Sequence, residues 1–86
     1  MEYIWNKENE INKENVEIGD EVINQHGTKS IVVGFTNNGI ILCFANMETK
    51  RPSFYVYEDE KKCQYSLCIK TGEHYDYIKE MFEEVI

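Results

Sequence analysis

The sequence predicts one small domain that is mainly β (α+β class), with about five strands closing into a small barrel and an amphipathic helix at the carboxyl end. Three observations support this. The length of 86 residues suits a single domain with a small core. From Val16 to Lys70, short runs rich in β-branched and aromatic residues alternate apolar with polar positions. From Glu73 onward, apolar residues recur every three or four positions, which is the helical period.

The predicted strands follow one another through short turns. The first covers Glu21 to Gln25 and the second covers Lys29 to Thr36, where Gly34 indicates a bulge or a strong bend. Asn37-Asn38-Gly39 predicts a type I′ hairpin turn, because Asn-Gly tolerates positive φ at both central positions. The remaining strands are predicted over 40–44, 53–57 and 64–70.

The carboxyl end is predicted to be helical. Thr71-Gly72 ends the last predicted strand, and Thr71 is a plausible N-cap. A short helix is only marginally stable in isolation and must bury its apolar stripe. We therefore expect it to pack on the barrel, on a partner or across a homodimer. The stripe consists of Tyr75, Ile78, Phe82 and Val85. The predicted divisions are an N-terminal extension over 1–15, a barrel over 16–70 and a helix over 71–86, all in one domain.

The first two predicted strands carry two short motifs. Gly19-Asp20-Glu21-Val22 has the form G-D-x-V, and Ile31-Val32-Val33-Gly34 has the form x-V-V-G, with a glycine turn, His26-Gly27-Thr28, between them. With the hairpin that follows, this pattern over about residues 16–69 resembles SH3-like barrels of the KOW and Tudor type. The resemblance implies a five-stranded SH3-like barrel. It also implies an alternative function, a nucleic-acid-associated module that binds backbone phosphates.

Charge is unevenly distributed along the chain. The net charge of −7 divides into −5 over residues 1–21, +2 over 22–72 and −4 over 73–86. Ordinary solvated surface is one interpretation of this pattern. The other is that the acidic ends repel nucleic acid and steer a basic partner.

Cysteine and histidine positions indicate neither catalysis nor metal binding. The odd number of cysteines (Cys43, Cys63 and Cys68), without a C-x-x-C motif or a leader-type apolar stretch, predicts a reduced cytoplasmic chain. His26 and His74 are too few for an evident zinc site, and the dispersed glycines make no phosphate loop. We therefore expect no metal, no cofactor and no enzymatic activity. No apolar run approaches the length of a membrane span, so no membrane partner is expected either.

These features favour a non-catalytic protein-binding module with a basic protein partner, acting as a monomer or a homodimer. Tyr55 and Tyr57 share one strand face, opposite Phe54 and Val56, so one pair is expected to point outward. The alternative is that the tyrosines complete the core. The candidate contact residues are Tyr55, Tyr57, Asp76, Glu80, Glu83 and Glu84.

A more specific version is an acidic inhibitor encoded by a phage or another mobile element. The chain is rich in Asn, Ile, Lys and Tyr and holds one Arg, one Pro and one Ala, a bias that suits an AT-rich genome. Its carboxylates would then substitute for phosphates on a host nucleic-acid-handling protein. In the nucleic-acid alternative, the contacts come from Lys50, Arg51, Lys61 and Lys62.

Overall fold

A computed structural model describes residues 3–59 and 67–83. The chain forms one antiparallel sheet in the order β4-β3-β2-β1-β5, which confirms the mainly β class and the five strands. A 3₁₀ turn at Lys7–Asn9 precedes the sheet, and the helix α1 follows it at Asp76–Glu83. The strands are β1 Asp20–Asn24, β2 Lys29–Phe35, β3 Gly39–Asn46, β4 Arg51–Glu58 and β5 Cys68–His74.

The sheet is open, which corrects the prediction of a closed SH3-like barrel. Strands β4 and β5 form its two edges, and no pairing joins them within residues 3–59 and 67–83. Register shifts interrupt the ladders between Val32 and Gly34, as Gly34 predicted, and between Asp20 and Val22. Instead of a closing strand, a segment of residues 10–16, called here the covering segment, contributes buried side chains to the core of the sheet.

The core is built on one face of the sheet. In β3, Ile40 and Leu42 are fully buried and alternate with Ile41 and Cys43 on the opposite face. The backbone N–H of Ile11 donates to the carbonyl of Cys68 at 3.0 Å, which fixes the covering segment to β5. The core cluster contains Ile11, Val16, Val22, Val32, Ile40, Leu42, Tyr57 and Cys68, with Tyr55 packed against it.

The last strand extends further toward the carboxyl end than the predicted range of 64–70, because Thr71-Gly72 does not end it; residues 64–66 of that range lie outside the described residues. Strand β5 continues to His74, and Gly72 has a φ of +99° opposite the register shift in β1. The helix begins at Asp76, so Thr71 is not its N-cap. The Thr71 hydroxyl donates instead to Glu21 Oε1 at 2.8 Å. The glycine therefore accommodates a bulge and does not act as a strand breaker.

The turn between β2 and β3 also differs from the prediction. Neither Asn38 nor Gly39 has a positive φ, so the turn is not type I′. Gly39 is the first residue of β3, and a Cβ there would lie 2.5 Å from the carbonyl oxygen of Tyr57 on β4. The position therefore requires glycine because two backbones approach closely.

Candidate functional site

The tyrosines of β4 lie on the core side of the sheet. Tyr57 is 1% exposed and donates its hydroxyl to Glu10 Oε2 at 2.6 Å, while the ring of Tyr55 packs against Phe44 with centroids 5.7 Å apart. Burial raises the pKa of Tyr57, and the Glu10 hydrogen bond raises it further, so the phenol remains a donor. Tyr57 is therefore a core residue and not an exposed contact residue, as the alternative for these tyrosines expects, while Tyr55 is half-buried against the core cluster. The outward ring is Phe54, which is 56% exposed.

The predicted helical stripe is only partly observed. Ile78 is buried, and α1 packs against β2. Tyr75, just before α1, is half-buried and donates its hydroxyl to Glu21 Oε2 at 3.4 Å. Phe82 lies within α1, and Val85 lies outside the described residues. The first turn of the helix therefore docks onto the sheet of its own chain.

The predicted acidic contact residues of the helix differ in where they lie along α1, and one of them lies outside the described residues. Asp76 begins α1 with a side chain that is 97% exposed, and Glu80 is exposed in its middle. Glu83 is the last residue of α1, and Glu84 lies outside the described residues. Asp76 is the member of this set that joins a larger cluster.

That cluster lies at one end of the sheet, where β1 starts and β5 ends, and is called here the acidic end. Glu14 and Glu17, from the segment before β1, line an open pocket of about 440 Å³ together with Glu73 of β5. Glu17 also lines an adjoining pocket with Asp76 and Phe35. The fold thus brings together the two segments whose sequences are acidic. Of the residues at the acidic end, the sequence predicted only Asp76 as a contact residue. The acidity of residues 1–21 is the sequence signal that could have indicated Glu14 and Glu17.

His74 is held between two carboxylates at the acidic end. Its Nδ1 lies 2.6 Å from Asp20 Oδ1, and its Nε2 lies 3.0 Å from Asp76 Oδ1. The hydrogen bond to Asp20 raises the pKa of His74, desolvation opposes this, and the charges of Asp20 and Asp76 raise the pKa further. Burial alone would raise the pKa of Asp20, but the Glu17 backbone N–H, His74 and Lys70 together lower it. His74 therefore connects β1, β5 and α1, and the two carboxylates favour its protonated form.

The opposite end of the sheet, where β2 and β4 start and β3 ends, carries basic residues and is called here the basic end. An open groove of about 540 Å³ is lined there by Lys29, Lys50 and Arg51, with Ile31 and Cys43. Burial raises the pKa of the Cys43 thiol, which disfavours the reactive thiolate. Sequence reasoning nominated Lys50 and Arg51 and missed Lys29, which is distant in sequence. Lys61 and Lys62 lie outside the described residues.

Two further observations concern metal binding and membrane-spanning helices. Within residues 3–59 and 67–83, no three His, Cys, Asp or Glu side chains are arranged to hold a metal ion. No helix in that part of the chain has the length and apolar character needed to span a membrane.

Comparisons with protein-family models, with curated proteins and with solved structures find no match to this chain. The resemblance to small barrels is therefore supported at the level of a small five-stranded antiparallel sheet, and no family comparison supports the KOW or Tudor type.

Proposed function

We propose that the chain is a non-catalytic protein-binding module that binds a basic protein through its acidic end. The observation that supports this is the convergence of Glu14, Glu17, Glu73 and Asp76 from separate segments onto adjoining open pockets. Lys13, Lys70 and His74 also line these pockets, but the carboxylates outnumber them. An excess of one sign accelerates encounter with an oppositely charged partner and restricts its orientation.

Charge alone would give weak binding. An exposed ion pair contributes about 0.2 to 1 kcal/mol, and salt screens it. An apolar anchor is available beside the acids, because Phe35 is 38% exposed and lines the pocket that contains Glu17 and Asp76. The partner surface that best fits this end has several Lys or Arg residues around one apolar side chain.

The finer form of the proposal is an inhibitor from a phage or another mobile element that occupies the nucleic-acid site of a host protein. Its support is the small size, the net charge of −7 and the composition typical of an AT-rich genome. A site built for phosphates is basic, so a dense group of carboxylates is complementary to it.

The test compares two variants that change net charge equally. Glu17→Gln/Glu73→Gln removes two of the charges of the acidic end, and Glu8→Gln/Glu48→Gln removes two exposed charges elsewhere. Proteins captured by the tagged chain from a bacterial lysate would be identified, purified and titrated directly. We expect a basic partner whose binding is weakened by the first variant and retained by the second. Equal binding to both variants would contradict the proposal.

The alternative is a nucleic-acid-associated module, favoured by the grouping of Lys29 with Lys50 and Arg51 and by the KOW and Tudor resemblance. The test is fluorescence anisotropy of labelled duplex DNA, single-stranded DNA and RNA at about 50 and 200 mM salt. Salt-sensitive binding that Lys50→Glu/Arg51→Glu abolishes would support the alternative. No binding at low salt would exclude it.

A further inference from the structure

The groove at the basic end has an apolar floor. Ile31 of β2 pairs with Cys43 of β3, and Cys43 pairs with Phe54 of β4, so the three side chains form a row across the face opposite the core. Ile31 and Cys43 are half-buried and Phe54 is more than half exposed. Ile31, Cys43 and Met47 line the groove itself, and Met47 is 73% exposed, while Phe54 continues the row outside the groove lining. This row gives an apolar side chain of a partner a surface to cover.

The cations at this groove lack carboxylate partners. Within the described residues, Lys29, Lys50 and Arg51 form no ion pair, although the chain carries an excess of acids. The acid in the groove lining is Glu21, which already accepts hydrogen bonds from Thr71 and Tyr75. Three uncompensated cations beside an apolar row are complementary to an acidic ligand with an apolar part.

We propose that this groove is a second binding site, which takes an extended acidic peptide segment with one large apolar side chain. The apolar side chain covers Ile31 and Cys43, and the carboxylates of the peptide meet Lys29, Lys50 and Arg51. The groove volume of about 540 Å³ lies in the usual range for a ligand site. This site is separate from the acidic end, so the inference does not depend on the basic partner proposed above.

The groove fits a peptide better than a nucleic acid. A single strand is normally held by several stacking rings along a cationic track. Here Phe44 is the aromatic residue of the groove lining, and its ring packs against Tyr55. The cations are confined to one end of the sheet, and the net charge of −7 repels a polyanion beyond it.

The first experiment measures binding of a fluorescein-labelled peptide of about ten residues, long enough to cross three strands. The peptide carries one Phe flanked by Glu and Asp. Two comparison peptides replace either the Phe by Gly or the acids by Lys. We expect only the first peptide to bind well. Arg51→Glu should weaken it about three- to tenfold, because the charge reversal removes one exposed ionic contact and replaces it with a repulsion. The matched control Lys7→Glu, at an exposed lysine outside the groove, should not.

The second experiment places the peptide in the groove. In a Cys63→Ser chain, alkylation reports on half-buried Cys43, because Cys68 is 2% exposed. Saturating peptide should slow alkylation of Cys43 severalfold. Equal binding to Arg51→Glu and Lys7→Glu, or unprotected Cys43, would overturn the proposal. A single-stranded DNA or RNA that binds more tightly than the peptide and protects Cys43 would replace it with the nucleic-acid alternative.

The variant Glu17→Gln/Glu73→Gln separates this inference from the proposed function. It should leave peptide binding intact at physiological salt, because neither changed residue lines the groove. Loss of peptide binding in this variant would contradict a separate second site. If the variant loses binding to the basic protein but still binds the peptide, the result bears on the proposed function of the acidic end and not on the groove.

Discussion

Replacing Ile11 by alanine tests whether the covering segment is part of the core. Ile11 is fully buried in the core cluster, although the sequence around it is polar. The change removes about 2.4 kcal/mol of transfer free energy at about 0.8 kcal/mol per carbon group. The cavity left behind raises the cost to about 3 kcal/mol. A chain of 86 residues has a total stability of about 4 to 13 kcal/mol, so this loss is severe.

The assay is urea unfolding followed by circular dichroism, with thermal unfolding as a second measurement. A loss of about 3 kcal/mol corresponds to a decrease in Tm of about 12 to 24 °C for a domain of this size. The control is Ile4→Ala, at a position that is 65% exposed, which should change stability by less than about 0.5 kcal/mol. If the two variants unfold at the same urea concentration, the covering segment does not contribute to the core and the reasoning is refuted.

Three further changes test other contacts. Tyr57→Phe removes the hydroxyl that donates to Glu10 and should cost about 1 to 2 kcal/mol in urea unfolding; an unchanged midpoint would show that this bond adds nothing. The Asp20–His74 pair should stabilise the fold most between pH 3.8 and 6.5, the ordinary pKa values of its two groups, because the pKa of Asp20 is lowered and that of His74 is raised. Its contribution should disappear as pH rises through the raised pKa of His74 or falls through the lowered pKa of Asp20. Urea unfolding at about pH 5.5 and 8.5 should therefore show a smaller pH effect in His74→Gln than in the parent chain; an equal effect would contradict the pairing. Gly39→Ala places a Cβ against the Tyr57 carbonyl and should destabilise the β3–β4 pairing by about 1 to 3 kcal/mol, and native-like stability would disprove the close approach.

Local sequence signals predicted the strands well because alternation and β-branched residues act over a few positions. The Gly34 bulge was predictable for the same reason. The burial of Ile11 was not predictable, because a single apolar residue among polar neighbours shows no periodicity. Gly39 and Gly72 were recognised as special positions but assigned the wrong role. A glycine signals an unusual backbone or a close approach, and only the pairing of strands decides which of these applies.

Tertiary pairing also decides which charges become neighbours. The sequence shows that residues 1–21 and 73–86 are acidic, but not that Glu17 and Glu73 line one pocket. That follows from the pairing of β1 with β5, which are distant in sequence. Lys29 joins Lys50 and Arg51 because the antiparallel order places the start of β2 beside the β3–β4 turn. The local sequence pattern does not reveal the order of the strands in the sheet, and that order determines which charged residues become neighbours.

The distance between the two ends determines how they influence each other. The groove and the acidic-end pocket share no lining residue, but Glu21 of the groove is the chain neighbour of Asp20 in the acidic-end pocket, so the two sites are close on the sheet. The Debye length is about 8 Å at physiological ionic strength and about 30 Å at 0.01 M. At physiological salt, screening weakens the repulsion that the acids around Glu17 and Glu73 exert on a ligand in the groove. At very low salt they repel an acidic peptide there, which opposes the stronger attraction of the nearby cations. Peptide affinity should consequently change less with salt in the parent chain than in Glu17→Gln/Glu73→Gln, where anisotropy titrations should show a steeper loss as salt is added. Equal salt dependence in the two chains would mean that the acidic end exerts no field at the groove.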